Sequence, residues 1–256
     1  MIARRHISSL TLAILILLVT GCTRVQHLAT VDSANQTVEE ANHPDKDTAM
    51  LALIEPYRIE MEAQMSEVIG ITETALPLEQ PDGPMNRLVA DIMLELAEEQ
   101  SGKKVHFAVQ NFGGLRINSL PEGEITLGTM YELMPFENYL VILEISGETV
   151  AQFCDLIAAN GGWPVSRGLS FTISDSHATD IAIDGGALDM QATYTIATND
   201  YLADGGDNCY FLTEYEQNNT GVLIRDAFIQ HFQRESERGH TLSDPGDGPR
   251  INYVEN

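Results

Sequence analysis

The stretch from residue 85 to residue 114 constrains the fold most, because a helical pattern leads directly into a buried strand and a glycine turn. Apolar residues recur at helical spacing up to Gly102, which predicts an amphipathic helix over residues 85–100. The apolar positions are Leu88, Val89, Ile92, Met93, Leu96 and Ala97. Residues 105–109 have the β-branched, aromatic and apolar content of a buried strand, and Gly113-Gly114 ends that strand in a tight loop.

The rest of the folded region alternates short strands with helices. Strands are predicted at residues 124–127, 139–145, 169–173, 181–183 and 194–198, and helices at residues 148–159 and 222–232. Ser146 is expected to cap the first of these two helices. The acidic tail from Ser243 onward is expected to lie on the surface. This mixture of helices and strands predicts a layered α+β (α/β) domain.

The amino-terminal residues have the layout of a secretory signal. Arg4 and Arg5 precede an apolar run at residues 10–19, which is too short for the roughly 20 residues that a helix needs to cross a bilayer. The run leads into Val19-Thr20-Gly21-Cys22, which resembles the lipobox of bacterial lipoproteins. The resemblance implies a signal peptide at residues 1–21, cleavage before Cys22 and lipidation of that cysteine. An ordinary signal peptide with an incidental cysteine is the alternative.

A polar segment separates this signal from the folded region. Residues 22–47 contain no aromatic residue and no sustained apolar period, so they are expected to form a flexible tether. Residues 48–256 are then predicted to form one well-cored domain. A lipidated Cys22 would place the protein in the cell envelope, anchored to the outer membrane and facing the periplasm.

The formal net charge of −24 limits the partners of the chain. Such an acidic surface repels the phosphate backbone of nucleic acids and anionic lipid headgroups, so no nucleic-acid partner is expected and the membrane contact is through the lipid anchor. A site for a phosphorylated ligand must therefore be built from a few local arginines and backbone amides. Cys154 and Cys209 are more consistent with two separate buried thiols than with a disulfide, since one lies in a predicted helix and the other beside a glycine-rich loop.

Three motifs follow one another along the folded region. The first is Asn111-Phe112-Gly113-Gly114-Leu115-Arg116, in which glycines allow close approach of a ligand to the backbone and the arginine offers a planar fork of donors for phosphate. The second is the step Pro135-Phe136, and the third is Tyr201 followed by Gly205-Gly206-Asp207. In this order and spacing they resemble the C-terminal domain of the 5'-nucleotidase and UDP-sugar hydrolase type, over about residues 76–232. That resemblance implies mixed sheets flanked by helices.

The resemblance also implies a role for each motif. Asn111 would bond the nucleotide, and Arg116, with the loop at Gly113 and Gly114, would meet its phosphate. The alternative is a turn that ends a strand and carries a surface arginine.

The other two motifs would hold the base and the sugar. Phe136 and Tyr201 would sandwich the base, with tyrosine where the family usually has phenylalanine, and stacking contributes roughly 1–3 kcal/mol per base. Asp207 would accept hydrogen bonds from the ribose hydroxyls. Core packing of the two aromatic residues and a turn role for Asp207 are the alternatives.

One feature departs from the family pattern. Many relatives have a second phosphate-facing arginine near the end of the first helix, where this chain has Glu98-Glu99-Gln100. An acid at that place would oppose a phosphate, which argues against tight binding of a nucleoside monophosphate and leaves nucleoside binding open.

The sequence lacks the motifs of the family's catalytic domain. It has no Gly-Asn-His-Glu and no Gly-His-x-His, its seven histidines do not stand at close ligand spacing, and no serine, cysteine or lysine nucleophile signature is present. We therefore expect no catalytic residue, metal ligand or cofactor in this chain. The two divalent metals of the family's reaction are expected in a partner catalytic domain.

Three hypotheses of function follow. The leading one is the nucleotide- or nucleoside-binding part of a split 5'-nucleotidase, acting in nucleotide catabolism with a separately encoded metallophosphoesterase. The others are a non-catalytic nucleotide- or nucleoside-binding lipoprotein and a structural envelope lipoprotein that has kept the fold without the site.

Overall fold

The computed structural model describes residues 48–254. The chain divides into two units, Met1–Leu51 and Ala52–Asn256, and the fold given below is that of the second, together with residues 48–51, with which its first helix begins. The predicted signal peptide, Cys22 and the predicted tether lie outside the described residues.

The helices and strands alternate along the whole of the described chain. The helices are α1 (Thr48–Met65), α2 (Pro84–Ser101), α3 (Leu127–Leu133), α4 (Gly147–Ala159), α5 (Asp200–Ala203) and α6 (Ile224–Glu237). The strands are β1 (Val68–Thr72), β2 (Leu76–Pro77), β3 (Phe107–Ala108), β4 (Ser119–Leu120), β5 (Gly123–Thr126), β6 (Tyr139–Ser146), β7 (Leu169–Ser174), β8 (His177–Ile183), β9 (Gly186–Ala187), β10 (Thr193–Asn199), β11 (Asn218–Leu223) and β12 (Ile251–Val254). Short 3-10 turns occupy Phe112–Gly114, Gly206–Asn208 and Tyr210–Glu214.

Two four-stranded sheets form the framework, and both are mixed. The first has the order β11-β6-β10-β3, in which β10 runs antiparallel to β6 and parallel to β3. The second has the order β12-β7-β8-β9, with β12 parallel to β7. The pairs β1-β5 and β2-β4 complete the strand pairing. The prediction of a layered α+β domain with mixed sheets flanked by helices is confirmed.

The first sheet separates two hydrophobic cores. Along β6, Leu140 and Ile142 belong to one core, whereas Val141, Leu143 and Ile145 belong to the other. This alternation follows from the two-residue period of a strand, whose successive side chains point to opposite faces of the sheet. Helices α2 and α6 contribute to the first core, and α4 and β7 contribute to the second.

Helix α2 confirms the clearest sequence pattern. All six apolar positions predicted for it are buried. The helix begins with Pro84, whose missing N–H costs nothing in the first turn, and ends at Gly102, whose φ of 64° suits glycine. Ser146 caps α4 as predicted, its hydroxyl accepting a hydrogen bond from Thr149 N at 3.2 Å.

Several predicted boundaries were wrong. The last helix was expected from residue 222, but residues 222 and 223 end β11, where Leu223 lies beside Tyr139 of β6, and α6 begins at Ile224. Apolar residues at these two positions satisfy a helix and an edge strand equally, and pairing with β6 decides between them. The strand predicted at residues 105–109 is confined to β3, and the one predicted at residues 181–183 is the end of the longer β8.

The carboxyl-terminal tail is not simply a surface segment, as the sequence had suggested. Strand β12 pairs with β7, and Arg250 just before it is 4% exposed. Its two terminal nitrogens each donate to one carboxylate oxygen of Asp91 in α2, both at 2.8 Å. Nη1 also donates to the backbone oxygen of Val165 at 3.0 Å. A bidentate pair of this kind fixes the tail to the core in one geometry.

Helix α1 was not predicted and has no buried residue. Leu53, Ile54, Tyr57 and Met61 lie in the middle of this helix, and each is at least 43% exposed. The helix is stabilised locally by Arg58, which forms ion pairs with Glu55 and Glu62. Within residues 48–254, no helix has the length and apolar character of a membrane span.

Cys154 and Cys209 are free thiols, and both are buried. Burial raises the pKa of each thiol, so both are protonated at neutral pH. The two cysteines are therefore packing residues, as the sequence favoured.

Replacing Arg250 by alanine should destabilise the domain strongly, because the buried Asp91 carboxylate would lose its bidentate partner and keep only its contacts with Arg167. Breaking a buried ion pair from one side costs about 3–5 kcal/mol, which urea denaturation would measure. The matched control is Arg238→Ala, which removes an exposed pair with Glu235 and should change the free energy of unfolding by less than about 1 kcal/mol. Equal losses in the two variants would contradict this account.

Candidate ligand-binding site

A cleft of about 270 Å³ lies between the loops that carry the three sequence motifs. Its lining residues are Asn111, Gly113, Gly114, Arg116, Phe136, Asn138, Tyr201 and Asp207. The seven residues predicted as substrate-binding within the folded domain are thus brought together in one place. Cys22, predicted as the lipidation site, lies outside the described residues.

Sheet topology explains why these distant segments meet. Strands β3 and β10 are parallel, with Ile196 beside Phe107 and Ala197 beside Ala108. The chain therefore leaves both strands at the same end of the sheet. Open α/β sheets bind ligands at this end, outside the carboxyl ends of their strands. Asn111 follows β3, and the loop that ends at Asp207 follows β10.

Asp207 is the centre of the polar network in the cleft. Its Oδ2 accepts a hydrogen bond from Asn111 Nδ2 at 2.8 Å, and its Oδ1 accepts one from the Tyr201 hydroxyl at 2.8 Å. The hydrogen bond to the carboxylate raises the pKa of Tyr201, and desolvation adds to the shift, so the hydroxyl remains a donor at neutral pH. A carboxylate has about four acceptor positions, so Asp207 retains acceptor capacity toward the cleft.

The glycines before Asp207 let its loop fold tightly against Tyr201. A Cβ on Gly206 would lie 2.5 Å from both the ring carbon Cζ and the backbone oxygen of Tyr201. Gly205 has φ of 92°, and Asp207 itself has φ of 49°, in the left-handed region. The loop holds Asp207 in a left-handed backbone conformation, which aspartate tolerates better than most residues, and its carboxylate lies at the centre of the cleft.

The two predicted base-stacking residues are not core residues. Phe136 is 44% exposed and Tyr201 is 46% exposed, although both line the cleft. Exposed aromatic faces beside a cavity do not fit the alternative of core packing. The guanidinium of Arg116 lies 4.9 Å from the centroid of the Phe136 ring, a cation–π contact.

A second arginine supports the loop that carries Phe136. Arg225 of α6 is 7% exposed, and its Nη1 lies 3.4 Å from the backbone oxygen of Met134 and 3.5 Å from that of Pro135. Its guanidinium also lies 4.3 Å from the ring centroid of Tyr131. Arg225 therefore ties the Phe136 loop to α6 and contributes no lining to the cleft.

The expected conflict between Glu98-Glu99 and a phosphate is not present in this cleft. Glu98 Oε1 accepts from the backbone N–H of Val105 at 3.3 Å, and Glu99 pairs with Arg234 at 3.5 Å. Neither residue lines the cleft, because the end of α2 lies beside α6 and the segment before β3. The resemblance implied that an acid at this place would oppose a phosphate, whereas both acids lie away from the cleft and have other partners.

The sequence analysis missed three amide side chains. Asn138 lines the cleft two residues after Phe136, and that proximity in sequence was the available signal. Gln110 and Asn199 lie behind Asn111 and are 3% and 0% exposed. Asn199 could have been noticed as a helix cap, since its Oδ1 accepts from Leu202 N at the start of α5.

No group of three or more His, Cys, Asp or Glu residues in the described chain is arranged to hold a metal ion. His106 has a structural contact: its Nδ1 accepts a hydrogen bond from Thr195 N at 2.9 Å, within the pairing of β3 and β10. The cleft itself offers donors, one carboxylate and two aromatic faces. Chemically, this arrangement suits binding of a flat, polar, phosphate- or hydroxyl-bearing molecule.

The two glycines of the first motif should differ in their tolerance of substitution. A Cβ on Gly114 would collide with Gln110 Nε2 and lie 2.8 Å from Asn111 Oδ1, whereas one on Gly113 would have its nearest neighbour, Asn111 Nδ2, at 4.0 Å. Gly114→Ala should therefore lower the free energy of unfolding by about 1–3 kcal/mol, as overpacking does. Gly113→Ala is the control and should be near neutral in the same denaturation experiment. A neutral Gly114→Ala would show that the amides behind the loop are loosely held.

Comparison with known proteins identifies relatives over most of the described chain. The chain is 27% identical over 216 residues to a 5'-nucleotidase of Vibrio vulnificus (strain CMCP6), covering 80% of this chain and 38% of that protein. It is 28% identical over 203 residues to protein UshA of Escherichia coli (strain K12), covering 77% of this chain and 36% of that protein. Among solved structures, a 5'-nucleotidase precursor from Thermus thermophilus matches with a TM-score of 0.66 and 27% identity, covering 80% of this chain and 42% of that one.

The chain thus spans less than half the length of these relatives. The family described as "5'-nucleotidase, C-terminal domain" matches residues 63–215, which include the whole cleft. The chain therefore belongs to the 5'-nucleotidase C-terminal domain family.

Proposed function

We propose that this chain binds a nucleotide or nucleoside and serves as the substrate-binding subunit of a split 5'-nucleotidase. The observation that carries the proposal is the convergence of Asn111, Arg116, Phe136, Tyr201 and Asp207 on one cleft. These residues come from three separate loops, and together they offer a group suited to each part of a nucleotide.

The base would lie against Phe136 and Tyr201. Both rings line the cleft and keep nearly half of their surface exposed, so a planar ligand could cover faces that the fold leaves open. Stacking on aromatic faces is tolerant of base identity. The amide of Asn138, which lines the same cleft, offers a donor and an acceptor to the edge of the base.

The sugar and the phosphate would meet opposite charges. Asp207 holds one donor on each carboxylate oxygen and has capacity left for ribose hydroxyls. Arg116 is the cation of the cleft lining and would pair with a phosphate, helped by the loop backbone at Gly113 and Gly114. Its contact with Phe136 is a cation–π interaction worth roughly 0.5–2 kcal/mol, which a charged phosphate could replace.

Hydrolysis would be the work of a second chain. Two divalent metals in a separately encoded metallophosphoesterase would activate water and stabilise the charge of the reacting phosphate. The residues of this chain would bind and orient the nucleotide for that partner.

The lipobox-like residues 19–22 support a place for this subunit in the cell envelope. A lipidated Cys22 would anchor it to the outer membrane, facing the periplasm, with residues 22–47 as the tether. Such a place suits nucleotide catabolism outside the cytoplasm.

A second candidate function is binding without catalysis. The cleft gathers groups for the base, the sugar and the phosphate from this chain alone, which favours ligand capture that needs no partner. A structural envelope role without ligand is the third candidate, and the titration below separates it from the other two.

Calorimetric titration with adenosine and AMP should show binding to residues 22–256. Phe136→Ala and Tyr201→Ala should each weaken it by about 5- to 150-fold, because stacking on one aromatic face contributes roughly 1–3 kcal/mol. Tyr210→Ala is the matched control, since Tyr210 is 69% exposed and does not line the cleft. Absence of binding by the unaltered protein would favour the structural role.

Hydrolysis of AMP should rise when the chain is mixed with a metallophosphoesterase that lacks a C-terminal domain of its own and is encoded beside it. The increase should be lost with Phe136→Ala and kept with Tyr210→Ala, because the partner would depend on the substrate held in the cleft. A mixture no more active than the phosphoesterase alone would leave binding without catalysis as the function.

A further inference from the structure

We infer that Asn199 is a positioning residue. It fixes the direction of a hydrogen-bond relay that runs from the Leu202 N–H through Asn199 and Asn111 to Asp207, and it thereby makes Asn111 a donor to Asp207. The inference rests on the proposed function, since it explains how the sugar-binding carboxylate is held. Asn199 does not line the cleft, and none of the three sequence motifs includes it.

The relay begins at a backbone amide whose polarity cannot be inverted. Leu202 N–H donates to Asn199 Oδ1 at 2.8 Å, so the Nδ2 of Asn199 must point the other way. It donates to Asn111 Oδ1 at 3.0 Å and to Gln110 Oε1 at 2.9 Å. The amide of Asn199 is thus fixed by the first turn of α5.

Asn111 is oriented in turn. Its Oδ1 accepts from Asn199 Nδ2 and, at 3.3 Å, from Gln110 Nε2, so its Nδ2 faces Asp207 Oδ2 at 2.8 Å. A flipped Asn111 would place its oxygen against the carboxylate and its NH2 group against the NH2 of Asn199. Both contacts would be repulsive, and the one between the two NH2 groups would be so in a buried site, where such mismatches are costly.

Burial restricts the relay to one pattern of donors and acceptors. Gln110 and Asn199 are 3% and 0% exposed, so water is not at hand to satisfy a misplaced donor or acceptor there, and Asn111, which lines the cleft, is itself only 5% exposed. The relay reaches the cleft at Asp207. The position of this carboxylate, and with it the recognition of the sugar hydroxyls, therefore depends on a side chain one layer behind the cleft.

Two substitutions separate positioning from helix capping. Asn199→Ser keeps a hydroxyl that can cap α5 but is too short to reach Asn111, so the cap survives and the donor is lost. Asn199→Ala removes both. If the inference is right, both variants bind adenosine about tenfold more weakly, while the serine variant, which keeps the cap, unfolds at a higher denaturant midpoint than the alanine variant.

The ligand series gives the sharper readout. Calorimetry with adenosine and 2'-deoxyadenosine should show that Asn199→Ser lowers the preference for the ribonucleoside, because the loss falls on the contact of Asp207 with the sugar. General loosening of the site would weaken both ligands alike. An unchanged preference, or full recovery of binding in the serine variant relative to the alanine variant, would overturn the inference.

A ligand-free measurement keeps the inference separate from the proposed function. The side-chain NH2 signal of Asn111, assigned by its loss in Asn111→Asp, should shift and exchange faster with solvent in Asn199→Ser. Should the unaltered protein bind no nucleoside, the proposed function fails while this signal still decides the relay. An Asn111 signal unaffected by Asn199→Ser would refute the relay whatever the binding result.

Discussion

Strands β3 and β10 run parallel at one side of the first sheet, with Ile196 beside Phe107 and Ala197 beside Ala108. This register brings the two chain segments out at the same edge, so that Asn199 Nδ2 at the end of β10 lies 3.0 Å from Asn111 Oδ1 beyond β3. A one-residue slip would turn side chains to the opposite face and separate the two amides. The cleft, its carboxylate and the capped turn of α5 all depend on that register.

The sequence predicted correctly those elements that have a clear apolar periodicity or a clear capping or terminating residue. Helix α2 has both, and Ser146 marks the start of α4 by its cap. Residues 222 and 223 were misassigned because two apolar side chains fit a helix and an edge strand equally well. Strand β12 was missed because its pairing with β7 and the contact of Arg250 with Asp91, 159 residues away, are both distant in sequence and give no local pattern.

The cleft residues could be named in advance because motifs such as Gly113-Gly114 followed by Arg116 are local in sequence. The residues that lie behind the cleft could not be predicted from the sequence. Gln110 and Asn199 come within hydrogen-bond distance of each other only because β3 pairs with β10. The position of Glu98 and Glu99 depends in the same way on the packing of α2 against α6. A motif thus identifies which groups line the cleft, whereas the three-dimensional register decides what holds them there.

Helices α1 and α2 both contain 18 residues, but they differ in what holds them together. Helix α2 is retained by the core, whereas α1 has no buried residue, contains Pro56, and relies on the local ion pairs of Arg58. Helices stabilised by local contacts alone are marginal in water. The amide protons of α1 should consequently exchange with deuterium far faster than those of α2, through openings that leave the domain intact. Slow exchange in α1 would then be a direct sign that its apolar surface had been covered.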